Sequence, residues 1–180
     1  MLIVLVVGAG AAAGYGLREL AARTSGGPLG TAAAPPATTT TAGAGDAGPP
    51  AVKLAADVAA DPEGAEVQTL LQRHFDAINN GNYEVWQTTV TRQRAATFPK
   101  QKWLDQYRTT TDGTILVQRI EPTTSGSVVL ISFTSTQDRA LAPDQQSACL
   151  RWRVGYPVVT ERDQLRLGPS EPATSQYTAC

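Results

Sequence analysis

The chain has 180 residues, with 15 Lys+Arg against 16 Asp+Glu, one His and two Cys. That length holds one ordinary domain with flanking segments rather than two full domains. A formal net charge of −1, with no run of four consecutive basic residues, supplies no field to draw in nucleic acid and argues against a nucleic-acid partner.

Residues 2–17 carry no charge and end at Arg18-Glu19. Two physical readings compete for them. Leu2 to Val7 followed by Gly8-Ala-Gly10-Ala-Ala-Ala13 has the local form of a strand and a G-x-G-x-x-G/A dinucleotide turn, as in a flavin-dependent oxidoreductase. That fold needs a second strand and an acidic residue about 20 positions on. The chain instead continues Thr24-Ser-Gly-Gly-Pro-Leu-Gly, so the turn has no sheet to join. The other reading is a hydrophobic helix about 25 Å long, slightly short of a hydrocarbon core of about 30 Å. Residues 1–23 are therefore read as a signal anchor, with a cleaved secretory signal as the alternative. The missing basic residue before the segment suggests a start farther upstream. Taken literally, Arg18 and Arg23 after the segment would put the domain in the cytoplasm. The linker and the cysteines point to the other side.

Residues 24–63 are Ala, Gly, Pro, Thr and Ser with few large apolar side chains, and positions 24–45 hold no charge. Such a segment buries too little to offset its backbone entropy and is expected to be a disordered linker, with a reach of about 35 Å. A short helix over 51–60 before Asp61-Pro62 is the expected boundary element.

From residue 64 the pattern becomes that of a folded domain, 64–180. Val67, Leu70, Leu71, His74, Phe75 and Ile78 fall on one helical stripe, and Asn79-Asn80-Gly81-Asn82 ends it. A second helix is expected through Tyr83 to Trp86. A third begins at Phe98-Pro99, buries Trp103, Leu104 and Tyr107, and stops at Asp112-Gly113. The period then changes to two, predicting strands over 114–121, 127–138, 148–159 and 164–167. Leu150, Trp152, Val154 and Tyr156 share one face of the third, and Arg151 and Arg153 the other. Pro157 removes a ladder donor and marks an edge or a bulge. Helices followed by antiparallel strands predict an α+β fold, three helices packed on a curved sheet of about four strands.

The stretches His74-Phe-Asp-Ala-Ile-Asn-Asn-Gly-Asn-Tyr83-Glu-Val-Trp86, Trp103-Leu-Asp-Gln-Tyr107-Arg-Thr-Thr, Val129-Leu-Ile-Ser-Phe-Thr-Ser-Thr-Gln137 and Cys149-Leu-Arg-Trp152 give the domain a family likeness. The region resembles the NTF2-like (SnoaL-like, cystatin-like) superfamily, in particular extracytoplasmic domains of small membrane-anchored actinobacterial proteins. The resemblance implies a cone-shaped scaffold that hosts isomerases, cyclases, dehydratases and non-catalytic modules alike, so it does not choose a function. It also implies that an aromatic pocket, here Trp86, Trp103, Tyr107 and Trp152 with His74 beside them, takes lipids, polyketides or steroids. The favoured reading of the same aromatics is that they fill a core with few other bulky groups.

Proton-transfer chemistry on such a scaffold needs a desolvated carboxylate or His opposite a Tyr or acid. His74 lies on the apolar stripe and Tyr107 is its possible partner. Asp76 and Asp105 sit off the buried positions, and no acid has an evident inward-facing place. Arg92, Arg94, Lys100 and Lys102 suit a solvated loop and helix end better than a phosphate site. One His and two distant Cys make no metal site, no G-x-S-x-G serine motif is present, and no cofactor is called for.

Cys149 and Cys180 lie 31 positions apart, and in an exported chain one disulfide is their simplest state, with free or intermolecular thiols as the alternative. Closing that loop is worth at most about 3.7 kcal/mol and would tie the polar C-terminal tail to the sheet. The expected function is a membrane-anchored or exported, non-catalytic NTF2-like module that binds a protein partner or a small apolar ligand outside the cytoplasmic membrane. The alternative is an isomerase or cyclase using His74.

Overall fold

Helical and two-residue periodicities resolve into a helical region followed by a mixed, open six-strand sheet in the computed structural model, which describes residues 46–170 and 172–180. The apolar segment 2–17 and the linker up to residue 45 lie outside the described residues. Chain order is β1 Lys53–Leu54, α1 Ala56–Ala59, α2 Gly64–Asn79, α3 Tyr83–Gln87, α4 Arg92–Thr97, α5 Lys100–Tyr107, β2 Thr111–Thr123, β3 Gly126–Thr136, β4 Cys149–Glu161, β5 Gln164–Leu167 and β6 Ser175–Ala179.

Helix α2 buries the stripe that its spacing predicts: Val67, Leu70, Leu71, His74, Phe75 and Ile78 all face inward. Its end is set by Gly81, which takes a φ of 61° that glycine adopts without strain. Gly81 N–H then donates to Ile78 O at 3.0 Å and Asn82 N–H to Ala77 O at 2.8 Å, satisfying carbonyls the helix leaves free. Asn82 Oδ1 accepts from Val85 N–H at 3.0 Å and starts α3.

Among the described residues, α1 falls within the short helix expected over 51–60, α2, α3 and α5 answer the three helices expected of the domain, and α4 is additional. The unexpected α4 has no apolar stripe and buries only Ala95; the Thr91 hydroxyl caps it by accepting from Arg94 N–H. Helix α5 ends at Tyr107, and Asp112-Gly113 is part of β2 rather than a helix stop.

The folded unit also begins before the expected boundary at residue 64. Val52 and Val58 are core residues, and β1 runs parallel to β2, pairing Lys53 with Leu116 and Leu54 with Val117. Two glutamines one turn apart on α2 hold this leading segment. Gln72 Oε1 accepts from Val52 N–H at 2.8 Å, and Gln68 Nε2 donates to Val52 O at 2.8 Å. Composition alone placed these residues in the linker because their partners lie about 20 positions away.

The sheet runs β1-β2-β3-β4-β5, with β6 also on β4. Strand β4 alternates as expected: Leu150, Val154 and Tyr156 are buried and Arg151 and Arg153 exposed. One flank of β4 is shared, because β6 pairs with residues 150–154 and β5 with residues 158–161. Pro157 falls in the break between them. Its carbonyl accepts from Gly168 N–H at 2.7 Å on that flank, so its donor-less nitrogen also points into the break. Arg162 and Asp163, both with positive φ, form the two-residue turn from β4 to β5.

Strand β6 was not expected, because Ser-Gln-Tyr-Thr-Ala shows no alternation and four of its five residues are exposed. Cys149 and Cys180 form a disulfide with a Cα–Cα distance of 5.4 Å, and Cys180 N–H donates to Cys149 O at 3.1 Å. The bond closes the end of the β4–β6 ladder, as the two-cysteine count suggested.

Candidate functional site

A cavity of about 360 Å³ lies between the helices and the inward face of the sheet. Its apolar lining comes from Phe75 and Ile78 of α2, Phe98, and Phe133, Trp152 and Tyr156 of the sheet; Tyr107 adds a phenol. Period-two alternation places the sheet aromatics, since Phe133 and Trp152 are cross-strand partners whose rings stack with an interplanar angle of 11°. Tyr177 of β6 is opposite Trp152 and packs on it at 4.9 Å.

The cavity also holds a buried acid. Asp112, on the second residue of β2, is 3% exposed and lines the cavity, and its Oδ1 has no hydrogen-bond partner. Its backbone is clamped by Asn79 at the end of α2: Asp112 N–H donates to Asn79 Oδ1 at 2.7 Å, and Asn79 Nδ2 donates to Asp112 O at 2.9 Å. Ser135 faces it across the β2–β3 ladder. Burial pushes the Asp112 carboxyl up to about 6, against the opposing effect of a hydrogen bond from Ser135.

This corrects the expectation that no acid faces inward. Asp112 was expected in a helix stop; it lies instead in β2, where a β-bulge turns it inward. Thr114 takes a φ of 50°, and the pairing jumps from Gly113↔Thr134 to Leu116↔Ser132, so two residues of β2 stand opposite one of β3. The extra residue inverts the alternation and puts Asp112 on the same side as Ile115 and Val117, both buried. Simple period-two counting misses it. A useful sequence signal is the Asp-Gly-Thr triplet at the start of an apolar strand, where a bulge is tolerated.

Tyr107 and Arg94 add to the polar lining, as do Gln106, Thr110, Ser135 and Gln137. Burial and the neighbouring Tyr156 and Asp112 push the Tyr107 phenol far up, with Arg94 opposing, so it stays a hydrogen-bond donor at every working pH. Arg94 is fixed at two points. Its Nη1 donates to Gly168 O at 3.1 Å, and its guanidinium lies 5.0 Å from the Tyr156 ring centre. Among its sequence neighbours, Lys100 pairs with Glu84 and Lys102 lies over the Phe98 ring.

Of the five residues read as ligand-binding, the structure brings Tyr107 and Trp152 into the cavity lining. Trp86 and Trp103 are fully buried in the core, with ring centres 5.6 Å apart, and do not line it. His74 is 1% exposed and packs against Phe75, Trp86 and Tyr156. Its Nδ1 lies 2.7 Å from the Thr89 hydroxyl, whose own proton is donated to Trp86 O. His74 Nε2 has no hydrogen-bond partner. Burial, reinforced by Arg94, holds its pKa well below the usual value, so the ring is neutral.

Among the described residues no group of three His, Cys, Asp or Glu is placed to hold a metal, and no helix is long and apolar enough to cross a membrane. No family model, no curated protein and no solved structure matches the chain.

Proposed function

We propose that residues 46–180 are an NTF2-like ligand-binding module carried outside the cytoplasmic membrane, anchored through residues 2–17 or, in the alternative, secreted. Its ligand is a small, mostly apolar molecule with one hydrogen-bond donor. The observation that carries the reading is Asp112 Oδ1, buried and unpartnered in the lining of an aromatic-walled cavity. Apolar walls with a few polar groups, of which Asp112 Oδ1 is the buried one without a partner, orient a small ligand. A small ligand is favoured over a protein partner because Tyr177 is the one exposed large apolar side chain among the described residues. The Cys149–Cys180 disulfide supports an oxidising compartment.

A specific observation favours a second reading. The isomerase or cyclase alternative no longer rests on His74, which is a neutral core residue; Asp112 as proton acceptor and Tyr107 as donor are the pair that shares the cavity.

Titration of the full-length chain with N-phenyl-1-naphthylamine, an apolar aromatic with one N–H, tests the binding reading. One saturable site is expected, weakened at least tenfold by Leu141→Trp, which adds bulk at a lining position. Non-saturable binding, or none, would reject it. Protease shaving of intact cells carrying a C-terminally tagged chain tests the location, which removal of the tag supports and its protection refutes.

A further inference from the structure

The outer face of the sheet carries a second feature, independent of the cavity. On β4, Arg151 and Arg153 are exposed and alternate with buried Leu150 and Val154. Arg151 stands directly between Thr134 of β3 and Thr178 of β6, and Arg153 between Ser132 and Gln176. These two rows lie along a groove of about 570 Å³ that reaches Gln118 and Thr114 of β2. Gln118 Nε2 donates to Ser132 Oγ at 3.3 Å, tying the rows to the next strand. No acidic side chain lines the groove, and neither arginine forms an ion pair among the described residues.

Two cations on one face, about 7 Å apart at the strand rise, repel each other unless an anion lies over them. Arginine presents a planar fork suited to carboxylate or another oxyanion. Backbone groups inside a sheet are consumed by its ladder, so a ligand on this face is read by side chains alone. The two rows supply guanidinium, hydroxyl and amide groups, and the groove is also lined by Phe133, Trp152 and Tyr177. A molecule that presents hydroxyls along its length and carboxylates at intervals answers the polar set group for group.

We propose that this face binds an acidic glycan, a sugar chain bearing carboxylates, with Arg151 and Arg153 holding the carboxylates and Ser132, Thr134, Gln176 and Thr178 the sugar hydroxyls.

The test is calorimetric titration of the full-length chain with tetragalacturonate, maltotetraose, tetraglutamate and inorganic phosphate. Tetragalacturonate is expected to bind and neutral maltotetraose not to. Arg151→Gln with Arg153→Gln should weaken tetragalacturonate at least tenfold with an unchanged melting temperature, while Lys102→Gln leaves it within twofold. Failure of tetragalacturonate to bind, or equal binding by the double variant, overturns the proposal. Equal affinity for tetraglutamate assigns the face to acidic peptides, and equal affinity for phosphate makes it an adventitious ion site only; either result also overturns it.

Discussion

The Asn79 side chain holds the backbone of Asp112 as a neighbouring strand would, accepting from its N–H at 2.7 Å and donating to its C=O at 2.9 Å. This two-point contact joins the last residue of α2 to the start of β2 and fixes where the only buried acid of the cavity lies. Asn79→Ala removes both bonds and leaves part-buried backbone groups without partners. A loss of about 1–3 kcal/mol in unfolding free energy is expected by urea denaturation. Asn79→Asp keeps the acceptor and should lose less.

Asp112 and His74 pull the pH dependence of stability in opposite directions. Asp112 has its folded pKa raised from 3.8 to about 6, so between those values the unfolded chain gives up the proton first and stability falls as pH rises. His74 has its folded pKa lowered below 6.5, so below 6.5 the unfolded chain takes the proton and stability falls as pH drops. Each slope is at most about 1.4 kcal/mol per pH unit, and in the window between 3.8 and about 6 set by Asp112 the two oppose each other. Relative to the parent, Asp112→Asn should therefore gain stability as pH rises through that window, and His74→Gln should lose it. Urea midpoints at four pH values read the slopes; parallel curves for all three proteins would refute both assignments.

At pH 7.5, Asp112→Asn should be more stable than the parent by up to about 3 kcal/mol, because the cost of ionising the buried carboxyl is gone. The same variant should weaken N-phenyl-1-naphthylamine, whose N–H loses a carboxylate acceptor. Stability and binding moving in opposite directions is the signature of a polar group kept for its ligand.

Strand β6 has little buried surface to hold it, and its ladder with β4 is closed by Cys149–Cys180. Replacing both cysteines by Ser should cost up to about 3.7 kcal/mol in the loop-entropy account. Hydrogen exchange at residues 175–179 should accelerate far more than at residues 128–131 of β3. Because Ser175 lines the cavity and Tyr177 packs on Trp152, affinity for the naphthylamine probe should fall in the same variant.

Local patterns fixed a good part of this architecture. The stripe from Val67 to Ile78, the stop at Gly81 and the alternation of Leu150 to Tyr156 all act within a few residues, and each is where its spacing places it. Features decided by distant partners were not readable. Val52 joins the core through Gln68 and Gln72, and β6 through a disulfide and the flank of β4. The site was the least accessible part. Counting aromatics found Tyr107 and Trp152 but equally promoted Trp86 and Trp103, which fill the core, and Asp112 was read as part of a helix stop, outside the strand whose bulge at Thr114 turns it inward.

Carbonyl-carbon NMR of the Asp112 side chain, titrated from pH 3 to 8 with and without saturating N-phenyl-1-naphthylamine, tests the central claim most directly. A midpoint near 6 that shifts when the probe binds is the predicted result. A midpoint near 3.8, unmoved by the probe, would mean that Asp112 is solvated and faces no ligand site.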